Sequence, residues 1–224
     1  MIIKAKPIPF PIFRLLMLPV LWFYRKRFNK MIINDIDIKP GHSYILMCNH
    51  FGFFDGFFAY YLCFKYIHKK QKLKGLYTMS VKKQMEKKWY LKYSGSFSVD
   101  PGKRSVRETL DYAASLMNEP GNLLIYYPQA ELESAYIRHI DFKDGIYEIV
   151  TRTTGNCQLI WSSVLLEYFE SLKQSVYFNL LDCGSNHDFD FEDLKRKVNK
   201  HHLQSIKKNI RFTKEPYIST QNSD

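Results

Sequence analysis

Short apolar runs alternate along this chain with segments whose apolar positions recur at helical spacing, and the alternation predicts strands and helices in turn. Residues 31–38 and 43–48 read as strands on either side of a Pro40-Gly41 turn, the second (Tyr44-Ile45-Leu46-Met47-Cys48) being apolar throughout. From Phe54 to about His68 the positions Phe54, Phe57, Phe58, Tyr61, Leu62 and Phe64 predict a helix, buried or partly facing lipid. A basic loop (Lys69 to Lys74) and a short strand (Leu76 to Val81) follow, then a basic helical segment over 82–90 and a loop with a short strand over 95–100. Ser105 to Glu108 has capping-box spacing, and the helix behind it sets Val106, Leu110, Ala113, Ala114 and Met117 on one face before Pro120-Gly121 stops it. Leu123 to Tyr127 is the clearest buried strand and runs into Pro128-Gln129-Ala130-Glu131. A polar loop (131–145), a helix (146–153), strands at 157–166 and 176–182 and a charged helix at 190–209 complete the order, the last with Leu194, Val198, Leu203, Ile206 and Ile210 at helical spacing.

Strands and helices that alternate in this way predict a single α/β domain, a mixed sheet flanked by helices, over residues 31–212. Residues 1–30 form an N-terminal segment and 213–224 a frayed tail. No internal repeat, Gly-rich phosphate loop or dinucleotide fingerprint interrupts the pattern.

Charge and the first residues add a surface to this picture. Lys and Arg exceed Asp and Glu by 11, which favours an anionic partner. Residues 8–24 are nearly all apolar and Arg25-Lys26-Arg27 follow, but Pro9, Pro11, Arg14 and Pro19 interrupt a run already short for a crossing. An interfacial helix with its basic cluster on anionic headgroups is one expectation, and a helix packed on the protein's own core is the other. Nucleic acid is not an expected partner, because the basic residues are dispersed and the aromatics lie in apolar runs. The four cysteines (48, 63, 157, 183) form no CxxC pair and read as buried thiols; no metal site is expected.

The chemistry gathers where the 43–48 strand ends. His50 stands at that exit and Asp55 five residues on, a place where an α/β sheet holds side chains rigidly beside a cleft. An imidazole is the usual general base near neutral pH, and a carboxylate can fix its tautomer. The plainer reading is a turn histidine and a first-turn aspartate. On one continuous helix the two would lie about 140° apart, so they meet only if His50 precedes the helix.

Asn49-His50, four residues and Asp55 resemble the H-x-x-x-x-D block of the glycerolipid (lysophosphatidic acid type, PlsC-like) acyltransferases, and later blocks follow in order. Gly95-Ser96-Phe97-Ser98-Val99-Asp100 is similar to the second block, with Pro101 where that family has an Arg tied to the acceptor phosphate. Tyr127-Pro128-Gln129-Ala130-Glu131-Leu132-Glu133 resembles the third, usually Phe-Pro-Glu-Gly and then an Arg, with Gln129, Ala130 and Leu132 as departures. Phe142-Lys143-Asp144-Gly145 resembles the stretch after it, and Leu159 to Ser163 is a faint fourth block.

The resemblance implies acyl transfer from a thioester, on coenzyme A or an acyl carrier protein, to a hydroxyl of a lipid acceptor, with no resident cofactor. It implies His50 as base and Asp55 as its partner, and leaves Asn49, Phe53, Lys103, Arg104, Gln129 and Glu131 as substrate-binding candidates. Backbone amides around Phe51 to Phe53 or near Gln129 would hold the oxyanion. The two lost arginines point away from a glycerol-phosphate acceptor and leave a lysophospholipid or lyso-aminolipid open. The expected place is the cytoplasmic face of the cell (inner) membrane, peripheral or monotopic. A covalent route through Cys48 is the lesser alternative mechanism, and a catalytically inactive lipid-binding or scaffold protein the alternative function.

Overall fold

The computed structural model describes residues 1–210; the end of the expected domain at 211–212 and the tail at 213–224 lie outside the described residues. Helix α1 (Phe10–Arg25) precedes strands β1 (Met31–Ile33) and β2 (Ser43–Cys48). Helix α2 (Asp55–Leu62) runs on through one π-helical turn, Cys63–Ile67, into the short α3 (His68–Lys70). Then come β3 (Gly75–Val81), α4 (Lys82–Lys87), a 3₁₀ helix (Trp89–Ser94), β4 (Ser96–Val99), α5 (Ser105–Met117) and β5 (Asn122–Tyr126). Helix α6 (Gly145–Arg152), the long strands β6 (Cys157–Glu167) and β7 (Ser175–Ser185) and helix α7 (Phe191–Asn209) finish the domain.

Among the described residues, seven strands make one mixed sheet in the order β1-β7-β6-β2-β5-β3-β4, in which the β6–β7 pair is antiparallel and the others parallel. All six residues of β2 are buried, as expected of a central strand covered on both faces. Its side chains divide with the two-residue period of a strand. Leu46 and Cys48 join the core beneath α1 and α2, while Ile45 and Met47 join the core beneath α5, α6 and α7. Because β2, β3, β4, β5 and β6 run parallel, their carboxyl ends reach one edge of the sheet.

Helix α1 packs on the domain along one side and is bare along the other. Phe10, Phe13 and Leu21 are buried against the domain, whereas Ile12, Leu15, Leu16, Trp22 and Phe23 form an exposed apolar stripe on the other side. No helix among the described residues is long and apolar enough to cross a membrane.

Several local expectations are corrected. The first strand ends at Ile33 because the Asn34 side chain bonds both backbone groups of Leu180, where Asn34's own backbone would otherwise continue the ladder. The capping box does not form: Ser105 is already the first helical residue, its carbonyl accepts from Thr109 Oγ1, and Glu108 lies 3.8 Å from the N-terminal amine. The 82–90 helix stops at Lys87 and restarts as the 3₁₀ turn. On α7 the buried positions are Leu194, Val198, His202 and Ser205, with Leu203 and Ile206 only half-buried, because His202 is drawn inward by polar partners. Gly95, in the second block, has φ +90° and a Cβ there would sit 1.9 Å from the Leu76 carbonyl oxygen, so only glycine fits.

Candidate active site

The turn between β2 and α2 carries His50, and α2 begins at Asp55, so the imidazole does precede the helix. Asp55 folds back over this turn. Its Oδ2 accepts from the amides of Phe51 (2.7 Å) and Gly52 (2.9 Å) and lies 2.6 Å from His50 Nδ1. These contacts to one oxygen fix the carboxylate, and the carboxylate in turn orients the ring, favouring the tautomer that donates from Nδ1 and leaves Nε2 as the acceptor. Asp55 is 4% exposed, and its Oδ1 is buried without a partner.

The His50 ring lies on the ring of Tyr127, centroids 4.4 Å apart and planes 29° apart. Tyr127 ends the strand–proline exit of β5, and its hydroxyl is buried without a partner. Burial, with Cys48 and Asp55 nearby, holds that phenol neutral, far above its ordinary titration range.

Behind the ring, the third block locks the His50 backbone. Gln129 Oε1 accepts from the His50 amide (2.8 Å), Gln129 Nε2 donates to Glu133 Oε2 (2.6 Å), and the Glu133 amide donates to the His50 carbonyl (3.0 Å). These three bonds close a ring. Ala130, the residue after Gln129, has φ +62°, a left-handed conformation that glycine takes without strain. That torsion accounts for a glycine at this place in the block it resembles.

His50 opens onto a cavity of about 750 Å³ at the carboxyl edge of the sheet. Its walls are largely apolar, with Met79, Val81, Val99, Val106, Leu110 and Ile125 prominent, and Lys143, Asp144 and Glu148 supply charge at one side. Lys143 is engaged by Asp141 at 2.7 Å, and Glu148 pairs with Arg152.

The sequence candidates separate on these walls. His50, Asp55 and Phe53 line the cavity, Phe53 being 85% exposed at its mouth. Asn49 does not: its side chain bonds both backbone groups of Val164 (2.8 and 3.0 Å), joining the strand exit to β6. Gln129 lies behind His50 rather than on the wall, and Glu131 is exposed beyond it. Pro101 and Gly102 reach the cavity, but Lys103 does not line it and Arg104 turns to a separate hollow beside Lys4 and Arg107. Of the amides expected to hold an oxyanion, those of Phe51 and Gly52 are committed to Asp55. Cys48 is buried, and burial raises its thiol well out of the nucleophilic range. Tyr127 and Glu133 were legible only as members of a block; that one would carry the ring and the other the lock depends on the fold.

Among solved structures, the fold is similar to the crystal structure of the 1-acyl-sn-glycerophosphate (LPA) acyltransferase PlsC from Thermotoga maritima, with a TM-score of 0.55 and 15% identity. The match covers 90% of this chain and 83% of that one. No curated protein matches the chain in sequence. A family model, Acyltransferase, matches residues 4–162, which take in β1 to β5 and every group placed around His50. On that match, the chain belongs to the acyltransferase family.

Proposed function

We propose that this protein is a membrane-associated O-acyltransferase that moves a fatty acyl group from a thioester to a hydroxyl of a lipid acceptor. The observation that carries the reading is the 2.6 Å His50–Asp55 pair facing an apolar cavity of about 750 Å³. With Nδ1 held by Asp55, Nε2 takes the acceptor's hydroxyl proton as its oxygen attacks the thioester carbonyl carbon. The tetrahedral intermediate then expels the thiolate, which recovers the proton from the imidazolium. Asp55 stabilises that imidazolium without being protonated itself. The steps need no acylated residue and no resident cofactor.

The donor is acyl coenzyme A or an acyl carrier protein, both anionic and suited to a chain of formal net charge +11. The cavity favours an acceptor other than a phosphomonoester. Among the described residues Lys143 is the one lysine or arginine lining it, Asp141 already engages that lysine, and Asp144 and Glu148 lie on the same wall. Lysophospholipids with a diester head and lyso-aminolipids suit that wall. The exposed stripe of α1, ending in Arg25-Lys26-Arg27, supports peripheral attachment at the cytoplasmic face of the cell membrane, where acyl thioesters are made. The scaffold alternative rests on the departures in the third block, yet the Gln129–Glu133 lock still braces His50.

His50→Ala should abolish transfer of a radiolabelled acyl group to extracted lysolipids while melting temperature and vesicle binding stay unchanged. Full residual transfer would remove His50 from the reaction and leave the scaffold reading.

A further inference from the structure

We infer that the tip of the β6–β7 hairpin is a second membrane-contacting element, which turns the cavity mouth toward the bilayer; this rests on the membrane reading above. The strand β6 runs parallel to β2, so the hairpin that follows it, residues 168–174, projects from the same edge of the sheet as His50. Leu172 and Tyr168 face outward, and the exposed Phe169 ring meets the Tyr177 ring edge-on. Leu172 is 100% exposed, Tyr168 56% and Phe169 37%. Phe169 also holds φ +45°, a left-handed conformation that a bulky residue rarely adopts. A folded chain gains nothing in water by presenting a leucine entirely to solvent on a strained turn. A lipid surface supplies the missing partner.

The tip does not stand alone. Lys173 Nζ donates to the Lys26 carbonyl (2.9 Å), and the Asn29 amide donates to the Gln174 carbonyl (2.8 Å), so the hairpin is tied to the basic end of α1. At that end Lys26 lies over the Trp22 ring, 3.4 Å from its centroid, and Arg27 over the Phe23 ring at 5.6 Å. A chain of ring contacts then leads from Tyr24 through Phe54 to Phe53 at the cavity mouth. The basic end of the α1 stripe (Trp22 and Phe23), Phe53 and the hairpin tip therefore gather at one edge, with Arg25, Lys26, Arg27, Lys30 and Lys173 among them and Glu170 as the acid within the hairpin tip. That charge suits an anionic lipid surface rather than a second copy of a basic protein.

The test measures partition of the full chain onto phosphatidylcholine vesicles with about one-third phosphatidylglycerol. Leu172→Asp should weaken binding about tenfold or more with no change in melting temperature, since the side chain touches nothing in the fold. Leu172→Phe, which keeps an apolar side chain there, should bind as the unaltered chain does. Leu16→Asp, on the α1 stripe, reports on the membrane reading itself. If Leu16→Asp falls and Leu172→Asp does not, the hairpin inference is overturned and peripheral attachment stands. If neither falls, both are overturned.

Discussion

Replacing Gln129 by glutamate, the residue that the third block would carry by resemblance, should damage this site rather than repair it. Gln129 is 2% exposed and uses both ends of its amide: Oε1 accepts from the His50 backbone at 2.8 Å and Nε2 donates to Glu133 at 2.6 Å. A carboxylate keeps the first bond and turns the second into an oxygen–oxygen contact between two anions. At about 3 Å and an effective dielectric constant near 20, their repulsion is about 5 kcal/mol. The pair escapes part of that by binding a proton. Protonating a carboxyl of ordinary pKa at pH 7 costs about 4 kcal/mol, and the cheaper route sets the penalty. For a chain of this length that is a fall in melting temperature of about 8–16 °C. At pH 5 the same proton costs only about 1 kcal/mol, so most of the loss should disappear. Gln129→Glu combined with Glu133→Gln exchanges amide and acid across the contact and should recover stability and acyl transfer together. Thermal melts and turnover at pH 7 and pH 5 on the two single variants and the double variant decide the matter. If Gln129→Glu melts like the wild type at pH 7, or if the double variant is no better than the single, the lock does not brace His50 as described.

Two smaller perturbations test the surroundings. Ala130→Gly should raise stability by about 1 kcal/mol, or roughly 2–4 °C, because Ala130 at φ +62° carries a Cβ that glycine lacks; an unchanged or lower melting temperature counts against strain there. Acidification should destabilise the fold through His202, which is buried between Ser163 Oγ (3.0 Å) and the Ile137 carbonyl (3.1 Å), burial pushing its pKa below the ordinary value near 6.5. The unfolded chain then binds the proton more readily than the native one, so stability present above pH 6.5 is lost as pH falls toward the lowered native pKa. His202→Gln should flatten the dependence of melting temperature on pH between 7 and 5, and an undiminished slope would assign the effect to other groups, His68 and His201 first.

How far the sequence carried depends on the range of the forces involved. Period and turn signals are local, so the order of strands and helices, including the central Tyr44 to Cys48 strand, was legible. The meeting of His50 with Asp55 was legible as a condition, that the histidine precede the helix, and α2 begins at Asp55. Contacts between distant segments were not legible. Nothing in the spacing says that Asn49 would satisfy the backbone of Val164, 115 residues away, or that Arg104 would turn from the cavity toward Lys4. The capping box failed for a local reason, a helix start shifted by one residue: Arg104 takes the N-cap place and Ser105 is already helical. On α7 the pattern favoured Leu203 and Ile206, but a pair of polar partners across the interface brought His202 inside.

The lost acid of the third block shows why such contacts change a functional argument. Read as a string, Gln129 is a deletion of charge, and deletions of charge in a catalytic block suggest decay. In the fold the carboxylate is displaced by four residues to Glu133, and the amide relays it to the backbone of His50. Decay has no reason to leave a closed ring of three hydrogen bonds around an imidazole that faces the cavity, since a turn can be held by cheaper means. The same ring predicts what random drift would not: two positions, 129 and 133, at which amide and carboxylate are interchangeable only as a pair. A scaffold that merely kept the shape of the turn would lose stability in the single variant but show no recovery of turnover in the double, because it would have no turnover to recover. The exchange therefore separates an enzyme from its inactive look-alike with one readout, in a way that substitution of His50 alone, where loss is the only outcome on offer, does not.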